Sequence, residues 1–202
     1  MRSAVTIETR AYTIDYVKDH FKYLDDNWRL VFFGSKQNKD QVLKLYPDCI
    51  FYIWDVKEFT LQKYNELLIT ETFWNLIPDE EILIFHHDSG LLKKGIEKFF
   101  EYDYVGSPWI RPEWGGNGGL SIRKKSIMLE CINKQPEFKD WTNEDGYFCD
   151  IMLRHKIGKL ASRTICLDFA CETIYKLGTY GYHNIRGYLS EDEVYKIMNQ
   201  YV

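Results

Sequence analysis

Residues 82–89 read Ile82-Leu83-Ile84-Phe85-His86-His87-Asp88-Ser89. The first four are apolar, the pattern of a short strand buried on both faces. The next four are polar, so the strand ends where titratable groups begin. Working back toward the N-terminus, the same signature recurs at 4–9 (AVTIET), 30–34 (LVFFG) and 50–54 (IFYIW). Helical patterns fill the gaps. One covers 14–24 behind Thr13 as N-cap, a second 38–45, and a third 61–76 behind Thr60, stopped by Pro78. Strand–helix alternation at this pitch predicts an α/β fold, a mostly parallel central sheet with helices on both faces in a Rossmann-like arrangement.

Downstream of Phe85 the rhythm changes. We expect a short helix at 91–100 and a strand at 104–108. A glycine-rich turn then runs through a short strand into a helix within 109–132. Another helix over 146–154 is opened by 141–145 (WTNED), and a late strand covers 164–169. Ser190 with Glu193 forms a capping box that starts a terminal helix.

At 202 residues the chain is one domain, residues 1–202, large enough to fold on its own core. The hydrophobic fraction of 45% and charged fraction of 28% exclude a disordered chain, and 16% aromatic residues leave rings for stacking. Twenty-six basic against 30 acidic residues give −4, which speaks against a nucleic-acid binder. The five cysteines, at 49, 131, 149, 166 and 171, form no CxxC pair, so a reducing, cytoplasmic setting is expected rather than a disulfide frame. No apolar run reaches the length of a membrane span, and the N-terminus has no signal core.

Five local features could carry chemistry, and each also has a plain structural reading. Asp88 beside two imidazoles at a strand's carboxyl end suits a divalent cation or a polarised hydroxyl, or simply caps the next helix. Gly115-Gly116-Asn117-Gly118-Gly119 lets backbone approach a ligand, or is a bare turn; it matches neither a Walker loop nor the dinucleotide fingerprint. Glu144 and Asp145 are a proton acceptor and a hydroxyl ligand, or a complement to a helix dipole. His183 lies in a turn-rich stretch near the C-terminus, where a lone histidine is usually structural. Thr9-Arg10 ends the first strand, where an Arg could face a phosphate or a nucleobase.

Taken in order, these features resemble the GT-A glycosyltransferases, whose nucleotide-sugar sheet carries a DxD motif. The resemblance is carried by Tyr64-Asn65-Glu66-Leu67-Leu68, Phe73-Trp74, 82–89, 102–109 (YDYVGSPW), 117–123 (NGGLSIR) and Asn143-Glu144-Asp145. HHDS departs from DxD: His86 stands in the first-Asp place and Asp88 in the metal place. The resemblance implies that Asp88 and His183 hold Mn²⁺ or Mg²⁺. It puts Thr6, Thr9, Arg10, Asp55, Tyr64, Asn65, His86 and His87 on the nucleotide side of a UDP-sugar, and Asn117 and Gly118 against the sugar. Glu144 or Asp145 would take the acceptor proton if the reaction inverts, or bind sugar hydroxyls if it retains. The N-terminal half would bind nucleotide and the C-terminal half sugar and acceptor, the acceptor being a glycan or glycoprotein. The sequence also resembles a glycosyltransferase domain that takes part in capsid-protein glycosylation in chlorella viruses, which implies a viral setting in host cytoplasm. A monomer, or one part of a longer multidomain chain, is expected. The same residues also suit a sugar- or nucleotide-binding module without turnover, a metal-dependent phosphohydrolase, or a structural capsid-associated protein.

Overall fold

The computed structural model describes residues 1–10, 14–54, 56, 58–111, 113–137 and 143–201. In chain order the elements are β1 (Arg2–Ile7), α1 (Asp15–Phe21), β2 (Trp28–Gly34), α2 (Lys39–Leu45), β3 (Ile50–Ile53), α3 (Leu61–Leu68), α4 (Glu71–Leu76) and β4 (Glu81–Phe85). There follow β5 (Ser89–Leu91), a 3-10 turn (Ile96–Glu101), β6 (Tyr104–Ser107), β7 (Asn117–Lys124), α5 (Lys125–Lys134), α6 (Glu144–His155) and α7 (Arg163–Phe169). The chain closes with β8 (Ala170–Cys171), β9 (Gly181–His183), α8 (Ile185–Tyr188) and α9 (Glu191–Met198). The main sheet has the order β3-β2-β1-β4-β7-β6. Its first four strands are parallel, and β7 runs antiparallel to both neighbours. This is the expected α/β architecture, and the four N-terminal strands lie where the sequence puts them.

Side chains alternate between two cores. Leu30, Phe32, Leu83 and Phe85 face one side with Ile14, Val17 and Phe169. Val31, Phe33, Ile82 and Ile84 face the other, with Leu68, Phe73, Trp74 and Phe148. Covered on both faces, these strands have no place for a polar alternation, which is why they read as continuous apolar runs. A small second sheet, β5-β9-β8, sits beyond the end of β4. Its antiparallel register pairs Ser89 with His183.

Several expectations need correction. The single helix over 61–76 is two, because the Thr70 side chain accepts a hydrogen bond from Phe73 N (3.3 Å) and starts a fresh helix. Thr60 does cap α3, accepting from Lys63 N. The helix expected over 91–100 shrinks to a 3-10 helix at Ile96–Glu101. Leu91 pairs in β5, and Gly95 at φ +92° turns the chain before the 3-10 turn. Residues 164–169 form α7 rather than a strand, since Cys166 and Phe169, three apart, share the buried face. In the glycine run only Gly115, at φ +70°, bends the chain, while Asn117 onward is extended in β7. The cap expected at Thr13 and the helix opening at Trp141 lie outside the described residues, whereas the Ser190–Glu193 capping box is present.

Under β4, His20 is fully buried against Phe85 (ring centroids 4.3 Å apart), with Nδ1 2.7 Å from Tyr16 O and Nε2 3.1 Å from Ser89 Oγ. Burial pushes its imidazole down to about 4, against the weaker opposing pull of the Tyr16 carbonyl. A depressed histidine favours the fold only while neutral, so its contribution is intact above about pH 6.5 and is lost progressively as pH falls toward 4. The loss amounts to about 3 kcal/mol. Urea unfolding of wild type and His20→Gln across that range should show a shallower acid loss in the variant. Parallel curves would refute this origin.

Candidate active site

The carboxyl ends of β1 and β4, the start of β7 and the N-terminus of α6 meet at one edge of the sheet. The pairing of β5 with β9 brings His183 to the same place. One ligand atom from each of His86, Asp88 and His183 lies within 4.8 Å of the others. His183 Nδ1 is 3.0 Å from Glu172 Oε1, which fixes the ring and turns Nε2 toward Asp88 Oδ1, 3.4 Å away. That Asp88 oxygen is buried and, beyond this ion-pair contact, has no hydrogen-bond partner among the described residues. Donors bound to one divalent cation stand roughly 3–4.5 Å apart, so two imidazoles and an unsatisfied carboxylate oxygen fit such an ion with little closure.

The electrostatics agree. Burial disfavours charge on His183, but its hydrogen bonds to Asp88 and Glu172 and their charges outweigh it and lift the imidazole to about 9. Burial alone would raise Asp88; the neighbouring His183 overrides it and holds the carboxyl well below the usual range. Burial, then the charge of His183, push His86 down to about 3. The metal-free cluster is thus a carboxylate–imidazolium pair beside a neutral imidazole.

Two clefts meet at Asp88. One, of about 200 Å³, is lined by Ile7, Glu8, Arg10, Phe59, Leu61, Tyr64, His86, His87 and Asp88. The other, of about 210 Å³, is lined by His87, Asp88, Tyr182, Asn184, Ile185, Arg186 and Met198. Each alone is smaller than the ~300 Å³ usual for a small-molecule site, and His87 and Asp88 line both.

The structure sorts the expected residues. Arg10 lies in the first cleft, its Nε 2.8 Å from Glu8 Oε1 and its Nη2 3.1 Å from His87 Nδ1. Tyr64 OH meets His86 Nε2 at 2.8 Å. Thr9 stands at the edge of β1, its carbonyl accepting from Ser35 Oγ (2.7 Å). Thr6 does not line the cleft: it is fully buried, 2.9 Å from Tyr16 OH, because strand alternation turns it, like Ala4, toward the core that holds Tyr16. Asn65 is also buried, and its Oδ1 accepts from Glu144 N (3.2 Å), so it anchors α6 instead of facing a ligand. Asp55 lies outside the described residues. Asn117 Oδ1 accepts from Gly119 N (2.7 Å), and Gly118 N donates to Asp145 Oδ2 (3.0 Å).

Glu144 and Asp145 are not equivalent. Both Glu144 oxygens are gripped by the Arg123 guanidinium, with Nη2–Oε1 at 2.8 Å, and both side chains are buried. The cation also stacks on Tyr104 and Phe148, 4.9 and 5.6 Å from the ring centroids. Glu144 therefore cannot serve as a free base. Asp145 forms no ion pair among the described residues; its oxygens accept from the amides of Gly118 and Gly146. Burial, then the charge of Glu144, push its carboxyl up to about 7, against the amides of Gly118 and Gly146.

Sequence reasoning missed the roles of Arg123 and Glu172, and it read Gly119 only as part of the glycine run. A charged residue inside the apolar run LSIR was the signal for Arg123, since a buried cation needs a buried partner. Glu172 gave no local signal. Gly119 is required because a Cβ there would stand 2.1 Å from His183 Nε2, and Gly118 because one would stand 2.4 Å from Glu144 Oε1.

Residues 54–184 match the family described as "Protein of unknown function (DUF5672)". This chain belongs to that family. The DUF5672 segment contains Tyr64, His86, Asp88, Arg123, Asp145 and His183. In structure, this DUF5672 chain is similar to the apo-form glycosyltransferase GlyE of Streptococcus pneumoniae TIGR4, with a TM-score of 0.56 at 12% identity. The similarity covers 95% of this chain and 55% of GlyE, so the chain spans about half the length of that relative. It shares a glycosyltransferase's fold. No curated protein matches the sequence. Among the described residues, no helix of the DUF5672 chain is long and apolar enough to cross a membrane.

Glu144→Ala would strand the Arg123 charge in the core and should cost about 3–5 kcal/mol in denaturant unfolding. Adding Arg123→Met should recover part of that loss. Single costs that simply add would show that the two charges are not coupled.

Proposed function

We propose that this chain is a metal-dependent glycosyltransferase that moves a sugar from a UDP-sugar to a hydroxyl of a glycan or glycoprotein. The observation that carries the reading is Asp88: a buried carboxylate oxygen with only the His183 ring against it, in a cluster with two imidazoles just past a strand's carboxyl end, lining two clefts. Asp88 and His183 would hold Mn²⁺ or Mg²⁺. The chemistry such a cation supplies when bound is neutralisation of the charge on a departing diphosphate.

The chain's own residues do the rest. Arg10 and Tyr64 line the cleft assigned to the nucleoside, with His87, shared by both clefts, toward the diphosphate. Asn117 and the backbone at Gly118 are assigned to the sugar. Asp145 removes the proton of the acceptor hydroxyl as its oxygen bonds to the anomeric carbon. The bond from that carbon to the diphosphate breaks, and its electron pair leaves with the phosphate oxygen. This is an inverting transfer. A carboxyl raised to about 7 by burial suits that base, since its proton affinity lies near working pH. The viral capsid glycoprotein that the sequence resemblance suggests is one member of this acceptor class. A phosphohydrolase would call for more carboxylates at the metal than the single one in the cluster.

UDP with Mn²⁺ should raise the melting temperature, a ligand at a hundred times its Kd adding about 2.7 kcal/mol. Asp88→Ala should abolish the metal-dependent part of that response. Asp145→Asn should keep the response and lower kcat by about 10²–10⁴. In wild type, kcat/KM should rise with pH through about 7, as Asp145 loses its proton, and the variant should lack that limb. Indifference to UDP, GDP and CDP alike, with and without metal, would sink the proposal.

A further inference from the structure

We propose that the groove along α8 and α9 binds the non-reacting sugars of the acceptor, so that this chain extends an oligosaccharide already begun. The inference rests on the transfer reading above and adds the class of acceptor. The groove, of about 550 Å³, is lined by Arg186, Leu189, Glu191, Tyr195, Met198 and Asn199, with Val194 behind them. That volume is ordinary for a ligand site. Arg186 and Met198 also line the cleft that holds Asp88, so the groove adjoins the candidate active site. The chain makes this adjacency local, since α8 begins two residues after His183.

Helix α9 is apolar on two sides. Val194 and Ile197 are buried in a small core with Leu92, Cys171 and Ile185. Tyr195 and Met198 turn away from it and are 68% and 40% exposed. Sharing one groove, they differ from apolar residues scattered singly over a surface. The polar lining selects the ligand. Among the described residues Arg186 and Glu191 enter no ion pair, whereas Asp192 is paired with Lys196 and Glu193 is committed to the helix cap. One cation and one anion leave the groove without net charge, which fits a neutral ligand rather than a nucleic acid or an acidic lipid. The guanidinium, the carboxylate and the Asn199 amide are planar groups that match neighbouring hydroxyls. The Tyr195 ring and the Met198 thioether offer apolar surface to the C–H face of a sugar. A single hydroxyl-bearing side chain would need only the cleft at Asp88; the added groove suits several linked sugars. The reaction that supplies this acceptor is then another glycosyl transfer.

The test is an array of immobilised mono-, di-, tri- and tetrasaccharides of hexoses and deoxyhexoses, probed with the labelled full chain in chelator and without nucleotide. Wild type should bind at least one tri- or tetrasaccharide, and bind its terminal monosaccharide at least about tenfold less, the weight of one or two lost contacts. Tyr195→Ala and Arg186→Ala, both at exposed positions, should melt as wild type and lose about tenfold of that signal. Binding to no oligosaccharide overturns the inference. So does equal binding to the monosaccharide, or binding that either variant keeps. Should a variant fail to melt as wild type, the length preference of wild type decides. A dimer in sedimentation that Tyr195→Ala dissociates assigns the groove to a second copy and overturns the inference as well. Because the array holds neither metal nor UDP, its failure leaves the nucleotide response of the donor site standing. Array binding without response to any nucleotide marks a sugar-binding module instead, and the acceptor role falls with the transfer reading.

Discussion

Arg123 and Glu144 meet where no water reaches, and much of the site is arranged around that meeting. A guanidinium at the heart of a sheet is tolerable only with a carboxylate locked to it and aromatic faces around it. Both conditions are met, by Glu144 and by Tyr104, Phe148 and Trp74. The pair ties β7 to the first turn of α6. Because Glu144 is committed to Arg123, its neighbour Asp145 sits beside a fixed negative charge with no cation of its own, and its affinity for protons rises. An internal ion pair of this kind adds little net stability, but it fixes which of two adjacent acids is neutralised by the buried cation.

The second constraint is close approach. Gly118 and Gly119 follow one another in a strand, and each is a glycine because a side chain occupies the space a Cβ would need. Gly118 makes room for Arg123 and Glu144, and Gly119 for His183. The glycine run thus acts less by bending the chain than by letting two functional groups lie flat against β7.

Most of the architecture could be read from the amino acids. The parallel half is dense in apolar, β-branched and aromatic residues because both faces are covered, and that signal is strong even in a single sequence. It failed where tertiary contacts overrode local preference. Thr164 and Ile165 favour a strand, yet Cys166 and Phe169 turn that segment into a helix against the core. Thr70 interrupts an otherwise continuous helical pattern with one hydroxyl. At the site, Asp88, His183, Arg10, Tyr64 and Asp145 were legible as types in order. Thr6 and Asn65 were misplaced because sequence shows neither which face of a strand nor which side of a helix looks inward. The roles of Arg123 and Glu172 depend on partners far along the chain, and spacing alone does not reveal those.

The pairing of β5 with β9 joins segments nearly half the chain apart, Ser89 against His183 and Leu91 against Gly181. Contacts that distant are the slowest to form, because a long loop must close before they stabilise anything. During synthesis, Asp88 leaves the ribosome long before its imidazole partner exists. The parallel strands that end near Arg10 and His86 can therefore consolidate first, and the cluster of His86, Asp88 and His183 is completed only when the last strand docks.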